Sequence, residues 1–95
     1  MKLVVGTVLV ELHIPQSTSL KAKRSVVNRI KQRLASKFNV SVAEVDYQDL
    51  WQRAAIGVAV VGGEKAVVES SLTKVVRLIE SETSIEVLAV DVNFY

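Results

Sequence analysis

Residues 2–38 read KLVVGTVLVELHIPQSTSLKAKRSVVNRIKQRLASKF, and two periodicities meet inside them. From Lys2 to Ile14, Val and Leu fill both parities, as in a central strand covered on each face, and Pro15 ends the run. After the polar Gln16, Ser17, Thr18 and Ser19, apolar residues recur at Val26, Val27, Ile30, Leu34 and Phe38. That spacing lays one stripe of a helix on a core, with Ser19 as its N-cap. Val40 to Asp46 and Trp51 to Val61 are two more strands, joined by a four-residue hairpin loop of Tyr47, Gln48, Asp49 and Leu50. Gly62 and Gly63 punctuate the chain. Val68, Leu72, Val75, Val76 and Ile79 then form a second helical stripe, and Ser84 to Phe94 a last strand. The order strand, helix, strand, strand, helix, strand predicts an α+β ferredoxin-like sandwich, with two helices on one face of a four-stranded antiparallel sheet. The handedness of strand-helix-strand crossovers puts strands one and three at its centre. His13, Lys21, Lys23, Arg24, Asp46, Asp49 and Trp51 are then expected at one edge of the molecule.

The first helix is also where the charge is concentrated. Of twelve basic residues, Lys21, Lys23, Arg24, Arg29, Lys31, Arg33 and Lys37 lie in the acid-free stretch from Leu12 to Ala43; the rest of the chain carries five basic and ten acidic groups. A net charge of +2 conceals this dipole. A concentrated basic face is the footprint of an anionic partner, most often nucleic acid, because neighbouring phosphates are neutralised together with release of counterions. At 95 residues and 49% apolar composition the chain is expected to be a single domain, 1–95, with one core and no linker. The N-terminal segment lacks the pattern of a signal peptide, and no apolar run is long enough to span a bilayer. With no cysteine there is no disulfide or thiolate metal site, which agrees with a cytoplasmic location.

Three stretches carry a resemblance: Ser19-Leu20-Lys21-Ala22-Lys23-Arg24, then Phe38-Asn39-Val40-Ser41-Val42-Ala43-Glu44-Val45-Asp46, then Asp49-Leu50-Trp51-Gln52-Arg53-Ala54. In this order they resemble the signature of the YlxP-like family of small bacterial proteins, and the similarity runs through the whole chain. The resemblance implies a ferredoxin-like domain in the cytoplasm with no established activity. It also implies a gene often found beside those for transcription-elongation, translation-initiation and ribosome-maturation factors, a neighbourhood that favours a role around ribosomal RNA. It assigns no functional residue.

The arrangement of the bases argues that they serve something besides folding. Lys21, Lys23 and Arg24 sit in the first turns, where the helix dipole disfavours exposed cations by roughly 0.3 to 1 kcal/mol each. Arg29, Arg33 and Lys37 are spaced by four, so neighbouring pairs repel by roughly 0.2 to 0.5 kcal/mol. The plainer reading is that acids of other elements, such as Asp49 or those of the second helix, pair with them. On a helical projection Lys21, Arg24 and Lys31 make one shoulder, and Arg29, Arg33 and Lys37 the other. The expected nucleic-acid or anion-binding residues are Ser19, Lys21, Lys23, Arg24, Arg29, Lys31 and Arg33. The Ser17-Thr18-Ser19 cluster could hold a phosphate with Lys21 and Lys23, or serve as an ordinary cap.

Several chemistries find no support. Gly62-Gly63 lacks the spacing of a phosphate-binding loop, no G-x-x-G loop is present, and the central strands lack the aromatics on which sheet-binding RNA modules stack bases. Contacts to RNA would therefore be to backbone and shape, through the helix. Trp51 could stack a base, but is expected to pack against the hairpin. A four-residue loop would place Glu44 across from Arg53. Glu11, Glu44, Asp46 and His13 form no recognised metal or acid-base constellation, so neither cofactor, metal nor catalytic residue is expected. Leu3, Val5, Thr7, Leu9, Ala55, Ala59, Val87 and Ala89 would make an apolar open sheet face. That suggests a homodimer, through the face or along the last strand, unless Glu11 and Arg53 cover the surface. The reading is thus a non-enzymatic protein that binds structured RNA through its first helix. The alternative is a protein-interaction or small-anion-sensing module.

Overall fold

A computed structural model describes residues 2–95. Its elements are β1 (Val4–His13), α1 (Leu20–Lys37), β2 (Ser41–Asp46), β3 (Arg53–Gly62), α2 (Lys65–Glu80) and β4 (Glu86–Phe94). They form one antiparallel sheet in the order β2-β3-β1-β4, so the expected α+β ferredoxin-like arrangement with β1 and β3 in the centre is what the chain adopts. The core lies between the sheet and its helices. Val8, Val10 and Leu12 of β1 and Ala54, Ile56, Val58 and Val60 of β3 meet Val27, Ile30 and Leu34 of α1 and Val68, Leu72, Val75 and Ile79 of α2. Alternation along the strands and a three-to-four spacing along the helices deliver these side chains to one layer.

The approach of α2 to the sheet is set by Gly6. A Cβ at that position would stand 2.5 Å from Val68 Cγ1 and 2.8 Å from Leu72 Cδ1, so any side chain there would push the helix away.

Both edge strands carry irregularities that the sequence pattern does not announce. β2 ends at Asp46 and β3 begins at Arg53, so the hairpin connection is the six residues Tyr47–Gln52, two more than expected. A shift of register between Glu44 and Asp46 makes Val45 a bulge, and Tyr47 takes a left-handed φ of 60°. Glu44 therefore faces Ile56, and the cross-strand pair with Arg53 does not form. In β4 the register shifts between the partners of Glu11 and Leu12: Ala89 pairs with Glu11 and Val87 with Leu12, leaving Leu88 as the extra residue. Val87 consequently packs against the core, not on the open face where unbroken alternation would place it. Ala55, also expected on that face, does lie there beside Glu11 but is 1% exposed.

Gly6→Ala should lower unfolding stability by about 1 to 3 kcal/mol through overpacking against Val68 and Leu72. Gly63→Ala, where a Cβ meets nothing within 4 Å and φ is not positive, should leave stability unchanged or raise it by up to about 1 kcal/mol. Denaturant titration of both variants checks the pair.

Candidate nucleic-acid interface

The end of β1, the start of α1 and the β2–β3 loop do meet at one edge of the molecule. Ile14 N donates to Gln52 O at 2.9 Å, and Gln52 Nε2 donates to Ser17 O at 3.1 Å and to Pro15 O at 3.3 Å. Ser19 caps α1, its hydroxyl accepting from Ala22 N at 3.0 Å, and buried Ser17 donates to Ser19 O at 3.1 Å. The hydroxyls at 17 and 19 are thus used in ending the loop and starting the helix, the plainer of the two readings of this cluster.

Lys23 is not a surface residue. Its side chain is fully buried, and Nζ donates to Tyr47 O at 2.7 Å, Gln48 O at 3.0 Å and Arg53 O at 3.2 Å. Glu44 Oε2 lies 2.9 Å away as an ion pair outside hydrogen-bond geometry. An ammonium has three donors, and the carbonyls of Tyr47 and Gln48 in the loop and of Arg53 at the start of β3 take all of them. Lys23 therefore leaves the expected anion-binding set, because no phosphate can reach it. The signal was present in the sequence: Lys23 stands four residues before Val27 on the stripe continued by Ile30 and Leu34, all buried.

Two of the three bases on the second shoulder of α1, Arg29 and Arg33, are likewise partnered. Arg29 Nη2 donates to Glu82 Oε2 at 3.1 Å and to Ser84 Oγ at 3.0 Å, and Arg33 Nη1 to Glu82 Oε1 at 2.6 Å. The mutual repulsion of the two arginines is answered by one carboxylate clamped between them. Burial raises the pKa of Glu82, but the hydrogen bonds and charges of Arg33 and Arg29 outweigh it and hold the carboxyl below its ordinary value of 4.5. The acid comes from the turn after α2, not from Asp49 or from α2 itself. Nothing in the sequence marks it, since the partners lie 49 and 53 positions apart.

Lys21, Arg24 and Lys37 remain exposed and Lys31 half-buried, with no ion-pair partner among the described residues. Lys21 and Arg24 stand at the N-terminal end of α1, which has no acid in its first turn. Trp51, in the loop between β2 and β3, is 55% exposed, and Leu50 48%. The indole is thus more than half exposed and stands outside the hydrophobic core.

Glu11, His13 and Glu44, for which no metal or acid-base role was expected, take separate partners. Glu11 Oε1 accepts from Tyr47 Oη at 2.7 Å and lies 3.9 Å from Arg53 Nη2, and the Arg53 guanidinium covers the Tyr47 ring at 4.5 Å. The hydrogen bond to Glu11 is the main reason the Tyr47 pKa is raised. This cluster covers one end of the open sheet face, as anticipated for Glu11 and Arg53. His13 instead faces Glu86, with Nδ1 3.7 Å from Oε2. Among the described residues no three His, Asp or Glu side chains converge as a metal site, and no helix is long and apolar enough to cross a membrane.

Lys23→Met should destabilise the protein by about 3 to 5 kcal/mol, since Glu44 and inward-facing carbonyls lose their partner, and thermal unfolding measures it. For Glu82, a depressed folded pKa means stability that is complete above the ordinary 4.5 and is lost as pH falls through the lower folded value. Glu82→Gln should therefore be less stable than wild type at pH 7, with the difference shrinking in acid. Denaturant melts across that range check the sign.

Residues 5–92 match a family model described as a protein of unknown function, DUF503. The chain is 42% identical over 82 residues to the uncharacterized protein YlxP of Bacillus subtilis (strain 168), covering 86% of this chain and 89% of that one. Among solved structures it resembles the de novo designed protein Foldit4, with a TM-score of 0.56 and 17% identity over 99% of this chain and 97% of the other. It also resembles a C-terminal segment of the alpha subunit of aIF2 from Pyrococcus abyssi, with a TM-score of 0.50 and 13% identity over 99% of this chain and 50% of that one. At these identities the structural likenesses speak for the fold alone. The family match and the YlxP relative together place the chain in the DUF503 family, as the signature stretches of α1, β2 and the hairpin indicated.

Proposed function

We propose that this protein is a non-enzymatic, cytoplasmic RNA-binding protein that engages structured RNA, ribosomal in origin, through the exposed shoulder of α1. One observation carries the reading. Lys21 and Arg24 are exposed at the positive end of a helix dipole, without an acid in the first turn or an ion-pair partner among the described residues. Cations placed so are unfavourable for the helix and suited to phosphate. Lys31 continues their line along the helix. Lys23 has no part in the surface, and Arg29 and Arg33 contribute only what their bonds to Glu82 leave available. The expected homodimer belongs to the same reading, since two copies would present two such shoulders.

Neutralising about three phosphates gives a slope of log affinity against log salt of roughly −2 to −3. Binding of labelled ribosomal RNA fragments, titrated across salt, should show it. Lys21→Glu with Arg24→Glu should flatten the slope and weaken all structured RNAs alike, while stability holds or rises because acids then meet the helix N-terminus. Unchanged affinity in that double variant would refute the reading. Saturation by inorganic sulfate with loss of RNA binding would favour the small-anion alternative.

A further inference from the structure

The oxygens around Lys23 form a cage with the chemistry of a ligand site. The carbonyls of Tyr47, Gln48 and Arg53 converge on one nitrogen at 2.7, 3.0 and 3.2 Å, and they match the three N–H bonds of a primary ammonium one for one. Glu44 adds a single negative charge. Its Oε2 lies 2.9 Å from Nζ yet is buried without a hydrogen bond, so it acts on the nitrogen through charge and asks for no fourth donor. Three neutral acceptors and one carboxylate thus balance one positive charge on a three-donor group. Secondary and tertiary ammonium ions have too few donors, and alcohols have no charge. Calcium takes about six to eight oxygens at about 2.3–2.6 Å, more and closer than the cage offers.

Every one of these oxygens lies outside α1. Glu44 is on β2, Tyr47 and Gln48 are in the connection, and Arg53 begins β3, so one hairpin builds the whole cage and the helix supplies only its occupant. The stem of Lys23 fills the way in and is fully buried. Buried carbonyls and a carboxylate facing inward are costly when nothing pairs with them, which makes the cage a strong acceptor for any ion that can take the place of the lysine head.

The geometry points to a primary-ammonium binding site in the β2–β3 hairpin, with Lys23 as its tethered occupant and short straight-chain alkylammonium ions as the class of free ligand it takes. Lysine carries its charge on a four-carbon stem. Truncation of Lys23 to alanine therefore removes the atoms of n-propylammonium, and truncation to glycine those of n-butylammonium. The site is sealed in the folded chain, so a free ligand enters as the chain folds and its binding is read as stability. None of this depends on RNA binding.

Lys23→Ala refolded in n-propylammonium chloride should gain melting temperature saturably, by about 5 to 10 °C at ten times the dissociation constant, relative to equimolar potassium chloride. Wild type should gain nothing over that control, and neither should Gly6→Ala, which is destabilised at the opposite end of β1 from the pair His13 and Arg53. The uncharged 1-propanol should give no comparable gain. Lys23→Gly should prefer n-butylammonium, and adding Glu44→Gln to Lys23→Ala should weaken the rescue about tenfold. Where a truncated chain is unfolded in buffer alone, circular dichroism along the same titration reads binding as folding. A Lys23→Ala chain that n-propylammonium neither folds nor stabilises beyond the potassium chloride control overturns the site. So does a gain matched by 1-propanol, or a rescue indifferent to Glu44→Gln.

Discussion

The ammonium of Lys23 sits where the main-chain carbonyls of Tyr47 and Gln48 in the β2–β3 connection and of Arg53 at the start of β3 turn inward, with the Glu44 carboxylate closing the shell. Taking such a charge out of water costs several kcal/mol, and the carbonyls would be almost as costly to leave unpaired. Each therefore needs the other. The requirement explains the length of the connection, the bulge at Val45 and the left-handed Tyr47, because a tight four-residue turn could not aim those carbonyls at one point. It also ties α1 to the far end of the sheet through a contact that only a compact, three-donor group can make. A planar guanidinium is larger and presents its donors in a fixed fork, so arginine would not substitute.

Charge on α1 has several jobs that its composition alone merges. One basic residue is an internal strut and two grip Glu82, which joins α1 to the turn before β4. The face left over is narrower than the sequence suggested. Lys21 and Arg24 stand at the helix start, near the edge where the β2–β3 loop is bonded to the segment before α1, and Lys31 and Lys37 lie further along the helix.

The order of elements and the core were legible because alternation and helical spacing report directly on burial, as Val8, Val10 and Leu12 or Val68, Leu72 and Val75 illustrate. What the pattern could not carry was any break in its own period. The bulges at Val45 and Leu88 each insert a residue without a distinctive side chain and switch the facing of the strand from that point, so strict alternation gives Val87 and Glu44 the wrong neighbours. Positive φ at Tyr47 has no glycine or asparagine to announce it. Lys23 was different, since its place on the buried stripe was visible and its charge hid the fact. Glu82 was invisible because a long-range ion pair leaves no local trace.

The exposure of Trp51 has a spectroscopic corollary. The chain has one tryptophan, and it is 55% exposed in the folded state, on a loop outside the core. Its emission should be red-shifted in the native protein and change little on unfolding, so fluorescence would misjudge the cooperativity of the core. For the same reason it is a sensitive optical label for whatever settles on the hairpin: a bound base would quench it and an apolar partner would shift it to the blue, with no added dye.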